Sequence, residues 1–256
     1  MIIKYASDLH LEFDQVFPAF EASQGEDVVV LSGDIDSHHF GVRWAKLVFK
    51  DRPVVYVLGN HEMYHGHWDE VLERCRKEAA GSNVHVLERD SVVIDGVRFI
   101  GCTLWTDFNG WKTGTAEQAM RYAQGRMNDF RLIEGGIPKS GDILTPEETV
   151  ERHRQSVEWL DREISKSDLP VVVVTHHGPS MKGCAERHRG DLLAPAFLND
   201  LEHLIRAPVR AWIYGHTHHS TEFTVAGIPV VSNQGGYPQE RGRNFKPEAI
   251  IEVRPA

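Results

Sequence analysis

The sequence predicts an α/β protein, and three observations point there. Short apolar, β-branched runs recur along the chain, each ending in turn chemistry. Segments with apolar residues at helical spacing separate several of them. Near-continuous apolar runs suit strands covered on both faces, and their alternation with amphipathic segments is the α/β pattern. The polar residues able to do chemistry also sit just past the C-terminal ends of these runs, where open α/β sheets place ligands.

In order, "MIIKYAS" is a strand ending at Asp8 and "DVVVLSG" one ending at Asp34. "HFGVRWAKLVFKD" has helical spacing, and "PVVYVLGN" is a strand ending at His61. "WDEVLERCRKEAAG" is a helix stopped by glycine. "VVIDGVRFIG" is a hairpin turning on Asp95-Gly96, and its second strand continues towards Trp105. Residues 105 to 145 break the alternation, being rich in Trp, Gly, Asn and Arg and partly helical in "TAEQAMRYAQGRMNDFRLI". They are expected to form an insertion over the strand ends of a single domain, residues 1–256. "TPEETVERHRQSVEWLDREISKS" opens with a cap, a first-turn proline and acidic residues against the helix dipole. "LPVVVVTHHG" and "VRAWIYGH" are strands, and "APAFLNDLEHLIRA" between them is expected to be a short helix. "STEFTVAGIPVVSN" is two strands around an "AGIP" turn, so the sheets are mixed.

A chain of 256 residues can bury about three quarters of its unfolded surface, so it needs no staples. Its net charge of -9 argues against the broad basic surface that extended nucleic acid requires, while leaving room for a local basic pocket. Three scattered cysteines, Cys75, Cys102 and Cys184, suit a reducing, cytoplasmic setting rather than a disulfide framework. "MIIKYASDLH" reaches charge too early for a signal peptide, and no apolar run approaches the ~20 residues of a membrane span. No membrane partner is expected.

Histidine is the outlier, with 15 in the chain. Asp8 and His10 are two apart, a spacing that turns both side chains one way in an extended chain. "SGDID" offers Asp34, "GNHE" offers Asn60 and His61, "THHGPS" offers His176 and His177, and "GHTHHS" offers His216 and His218. Each alone has a plain reading as a turn, a cap or surface decoration. Pooled, they supply two carboxylates, an amide oxygen and at least four imidazoles. That is too many donors for one tetrahedral zinc or for a single-metal hydrolase or oxygenase. It suits two metal ions bridged by a carboxylate, which can drive in-line displacement at phosphorus.

The series D-x-H, G-D, G-N-H-E, H and G-H-x-H runs from Asp8 to His218. In this order it resembles the calcineurin-like metallophosphoesterase family. "YASDLHLEF" and "TLWTDF" resemble a compact bacterial and phage branch of it. The resemblance implies a four-layer sandwich of two mixed β-sheets flanked by helices. It implies one metal on Asp8, His10, Asp34 and His218, and another on Asp34, Asn60, His176 and His216. A water bridging the two ions would be the nucleophile. Asp34, Asn60 and His61 form the implied catalytic group, with His61 unligated and Glu62 orienting its loop. Two divalent ions are expected, from Mn, Fe, Zn, Co or Ni. The Thr-His step at the strand end favours His176 over His177 as ligand. His177, Tyr64 and Arg126 are candidate substrate contacts, with Asn128 and Arg131 beside the last. His38, His39, His65 and His67 read as loop or cap residues. His219 falls on the wrong side of the alternation to bind metal, and "NQGGYPQERGRNF" reads as an ordinary loop in preference to one whose glycines and arginines close on the site mouth.

The function expected is hydrolysis of a phosphate ester on a small phosphorylated substrate or a phosphoprotein. The substrate classes are small phosphodiesters or cyclic nucleotides, phosphomonoesters, and diadenosine-type pyrophosphates. The competing class is a non-catalytic protein-binding scaffold on the same fold. Loss of block residues would mark such a scaffold, and here every block is intact.

Overall fold

A computed structural model describes residues 1–13, 20–23, 25–110, 114–136, 141–240 and 244–254. The first half of the chain forms β1 (Ile2–Ala6), β2 (Val28–Ser32), α1 (Phe40–Val48), β3 (Val54–Val57), β4 (Gly66–His67), α2 (Trp68–Ala79), β5 (Val84–Leu87), β6 (Asp90–Ile94) and β7 (Val97–Cys102). The second half forms α3 (Ala116–Gln124), α4 (Asp129–Leu132), β8 (Ile133–Glu134), α5 (Pro146–Lys166), β9 (Val171–Thr175), β10 (Val209–Tyr214), β11 (Glu222–Val225), β12 (Ile228–Ser232) and β13 (Ile250–Glu252).

Two mixed sheets result. One has the order β13-β1-β2-β3-β5, the other β11-β12-β10-β9-β7-β6, and β4 and β8 make a two-stranded pair. Strand alternation assigns each side chain to a layer. Ile3, Val28, Val30, Val55 and Val57 of the first sheet meet Phe99, Val172, Val174, Ala211 and Ile213 of the second. The other faces turn outwards. Val29, Leu31, Val54 and Tyr56 pack on Val42 and Ala45 of α1 and on Val71 and Cys75 of α2. Ile100, Val171, Val173, Trp212 and Tyr214 pack with Leu160 and Ile164 of α5. The fold is therefore helix, sheet, sheet, helix, and no helix among the described residues is long and apolar enough to cross a membrane.

Local chemistry explains the elements. The Thr145 side chain accepts the Glu148 N–H at the start of α5, and Thr115 with Gln118 forms a capping box on α3. Asp95 and Gly96, both at positive φ, make the two-residue turn that pairs Ile94 with Val97. The expected helix over "APAFLNDLEHLIRA" is absent, and only single 3-10 turns form at Ala194–Ala196 and Glu202–Leu204. A competing interaction wins there. Leu198 bridges to Gly178, and the Asn199 amide donates to the carbonyls of Trp105 and Gly178, which fixes the backbone in a non-helical path. The terminal hairpin pairs β11 and β12 antiparallel, and β12 runs parallel to β10, which makes the second sheet mixed.

Candidate metal centre

β1, β2 and β3 are mutually parallel, as are β9 and β10, so their C-terminal ends gather at one edge of the sandwich. Each expected ligand lies one to four residues beyond such an end. The pairing of Asp8 with His10, and of His216 with His218, does not arise from extended-chain alternation. Asp8, His10, Asp34, His216 and His218 all have positive φ, between 47° and 72°. Tight left-handed turns bring the side chains inwards, at a cost of about 1 kcal/mol or more each. Gly33 and Gly59 make the approach possible: a Cβ on Gly33 would overlap the His176 ring, and one on Gly59 would lie 2.7 Å from His176 Cε1.

Two donor sets converge. In the first, His10 Nε2 and His218 Nε2 are 3.0 Å apart. Asp8 Oδ1 is 3.4 Å from His218 Nε2, and Asp34 Oδ2 is 4.0 Å from His10 Nε2. In the second, His176 Nε2 is 3.0 Å from both Asn60 Oδ1 and His216 Nδ1, and 3.5 Å from the same Asp34 Oδ2. Asp34 Oδ2 thus faces both sets, while Oδ1 accepts the His61 N–H at 2.8 Å.

The hydrogen bonds around these atoms settle which atoms face inwards. His10 Nδ1 is 2.9 Å from Glu12, His218 Nδ1 is 2.7 Å from Glu240, and His176 Nδ1 is 2.9 Å from the Ser32 carbonyl. Those acceptors hold the ring protons, so the Nε2 lone pairs of His10 and His218 face each other and that of His176 faces Asn60 Oδ1 and His216 Nδ1. Asn60 Nδ2 donates to Asp129 at 2.7 Å and Tyr64 at 3.2 Å, which fixes its oxygen towards His176. Clustered lone pairs and carboxylates with no donor between them repel, and a cation relieves this, so the residues present fit divalent metal. Burial disfavours the charged form of His218, but Asp8 and Glu240 outweigh it and push the imidazole up to about 10. Burial is likewise outweighed by Asp34 at His176, which is pushed up to about 9. For Asp34, burial would raise the carboxyl, yet His176, His61 and His10 hold it well below the usual range.

Glu62 does more than orient the His61 loop. Its carboxylate accepts N–H bonds from Asp34, Ile35 and Gly59 and the Tyr56 hydroxyl at 2.7–3.0 Å, tying Asp34 to the Asn60 loop. Burial and then the Asp34 charge push it up to about 7, while the four donors favour its ionised form. His61 lies at the mouth, with Nδ1 on Glu12 at 2.9 Å and Nε2 on the Tyr237 hydroxyl at 3.0 Å. Burial opposes its charged form, but Asp34 and Glu12 prevail and its pKa is raised. Glu12 Oε1 therefore clamps His10 and His61 together. Above the donors lies a cleft of 320 Å³.

A model of calcineurin-like phosphoesterases matches residues 1–220, which include every one of these donors. The chain belongs to the calcineurin-like phosphoesterase family. It is 28% identical over 281 residues to uncharacterized protein L509 of Acanthamoeba polyphaga mimivirus, covering 98% of this chain and 96% of the viral one. Its fold is similar to the crystal structure of Phosphopantetheinyl Hydrolase (PptH) from Mycobacterium tuberculosis. That match has a TM-score of 0.69 and 17% identity, and covers 93% of this chain and 90% of the other.

Against that family pattern, the structure brings Asp8, His10, Asp34, Asn60, His176, His216 and His218 together and sets His61 beside them. Tyr64 and Arg126 line the cleft, the Arg126 guanidinium resting 3.7 Å over the Tyr122 ring. Asn128 also lines it, whereas Arg131 is turned onto Asn128. His177 is not in the cleft. It is fully buried, Nδ1 3.1 Å from the Thr103 carbonyl, with its ring against Trp105 and His216, so it packs behind the centre. His219, His38, His39, His65 and His67 join none of the donor groups among the described residues. Glu12, Asp129, Tyr237 and Glu240 also hold the site, and no motif in the sequence marks them. Tyr237 and Glu240 sit on the loop read as ordinary; its Arg241 and Arg243 lie outside the described residues.

Proposed function

We propose that this chain hydrolyses a phosphate ester at a two-metal centre. The observation that carries the reading is Asp34 Oδ2, placed 3.5 and 4.0 Å from imidazole nitrogens of two separate donor sets. One ion would be held by Asp8, His10, Asp34 and His218, the other by Asp34, Asn60, His176 and His216. Mn, Fe, Zn, Co and Ni all accept such mixed carboxylate, amide and imidazole donors. When bound, such ions supply an acidified water and neutralise charge on the phosphoryl oxygens.

The chain's own residues do the rest. Asn60, fixed through Asp129, orients one donor set. His61, whose pKa is raised by Asp34 and Glu12 against burial, delivers a proton from Nε2 to the departing ester oxygen. Glu12 holds its other nitrogen. Arg126 at the rim suits a phosphate or another anionic part of the substrate. A cleft of 320 Å³ favours a small phosphorylated molecule, whether mono- or diester. The whole chain would act as one catalytic unit, with the 105–145 stretch supplying a wall of the cleft through Arg126, Asn128 and Asp129. Three free, buried cysteines support work in a reducing cytoplasm.

The test is turnover of an aryl phosphate ester by manganese-loaded protein. Asn60→Ala and His61→Ala are each expected to lower kcat by about 100-fold or more while circular dichroism stays unchanged. Unaltered turnover in both folded variants would contradict the mechanism, and no metal-dependent turnover in the unaltered chain would favour a scaffold.

A further inference from the structure

Beside the metal cleft lies a second cavity, and the two share a wall formed by His188, Leu193, Phe197 and Thr217. Among the described residues, its other walls include Cys184, Ala185, Ala194 and Leu198, so it is mainly apolar. The shared wall touches the donor set directly, because the Phe197 ring stacks on His216 at 4.6 Å with an angle of 27°. A group seated in this cavity therefore lies next to anything held over the donors.

Size and polarity narrow the occupant. The cavity measures 140 Å³, close to the about 150 Å³ of a Leu/Ile/Phe-lined cavity that admits benzene. Part of its polar rim is engaged elsewhere. Asp191 Oδ1 accepts the Leu193 N–H at 2.9 Å, the Thr217 hydroxyl accepts from Gln234 at 3.0 Å, and His188 Nε2 accepts from Arg187 at 3.0 Å. Away from that rim the walls are apolar, and a plain ring or branched alkyl group seated there needs no polar partner.

We infer that this cavity receives the apolar portion, one ring in size, of the alcohol that is esterified to phosphate. The inference rests on the phosphoester reading of the adjoining cleft, and it narrows the substrate to small esters of aromatic or compact branched alcohols. Seating that portion against Phe197 orients the ester bond over Asp34 and Asn60 and keeps water from that side.

Calorimetry of methylphosphonate and benzylphosphonate on the manganese-loaded protein tests it, since the two differ only in the ring. Benzylphosphonate is expected to bind about 10- to 100-fold more tightly. Ala194→Leu, which fills the cavity, should bring the ratio towards one, and Ala185→Leu is a second filling variant should the first misfold. Equal affinities in the unaltered chain, or an unchanged ratio in a folded filling variant, would overturn the inference. Turnover of benzyl phosphate is followed in parallel. Its absence would count against the phosphoester reading, while the affinity ratio still decides the cavity.

Discussion

Asn60 presents its oxygen to His176 because its nitrogen is already taken by Asp129 and Tyr64. Asp129→Ala frees that amide to rotate, and supports of this kind are worth about 10- to 100-fold in metal affinity or activity. A fall of that size in kcat or in manganese affinity is expected, and steady-state rates and metal titration check it. Glu12 does the same for His61. Because Asp34 and Glu12 outweigh burial to raise the His61 pKa, the proton donor is present below that pKa and lost as pH rises through it. Glu12→Gln removes part of the charge that sustains it, so the alkaline limb of the kcat profile should move to lower pH. A limb that stays in place would remove Glu12 from this role. The donors themselves were legible in the sequence, since carboxylate, amide and imidazole recur after strand ends in a recognisable order. Glu12, Asp129, Tyr237 and Glu240 were not. Each is an ordinary polar residue whose partner lies 22 to 176 positions away, and only folding brings the pair together.

At the scale of elements, the strands were readable because buried parallel strands are apolar without interruption. What happens just past their ends was not. Extended spacing predicted that Asp8 and His10 would face one way, and they do, but through left-handed residues. Likewise the 194–207 segment has helical spacing, yet Asn199 and the Leu198–Gly178 bridge hold it open. Spacing alone carries no information about such distant competitors. The turns impose a packing demand that can be measured. A methyl on Gly59 would meet both the Asp34 backbone nitrogen and His176 Cε1 at 2.7 Å. Gly59→Ala should therefore lower stability by about 1–3 kcal/mol and weaken metal retention. Urea unfolding and metal analysis report the two, and a variant normal in both would show that the loops yield more easily than their geometry implies.

For the whole molecule, two mixed sheets share one inner core, and parallel strands from both deliver their ends to one edge. Neither sheet alone carries the site. Asp8, Asp34 and Asn60 follow strands of the first sheet, and His176 and His216 follow strands of the second. The centre therefore forms only when the sandwich closes, and metal should stabilise the closed fold by linkage. The most direct test of the central claim is metal content by mass spectrometry, on protein reconstituted with manganese and freed of excess. Two donor sets sharing Asp34 predict about two ions per chain, with turnover appearing as the pair fills. A reproducible content near zero, or full turnover at one ion per chain, would contradict it.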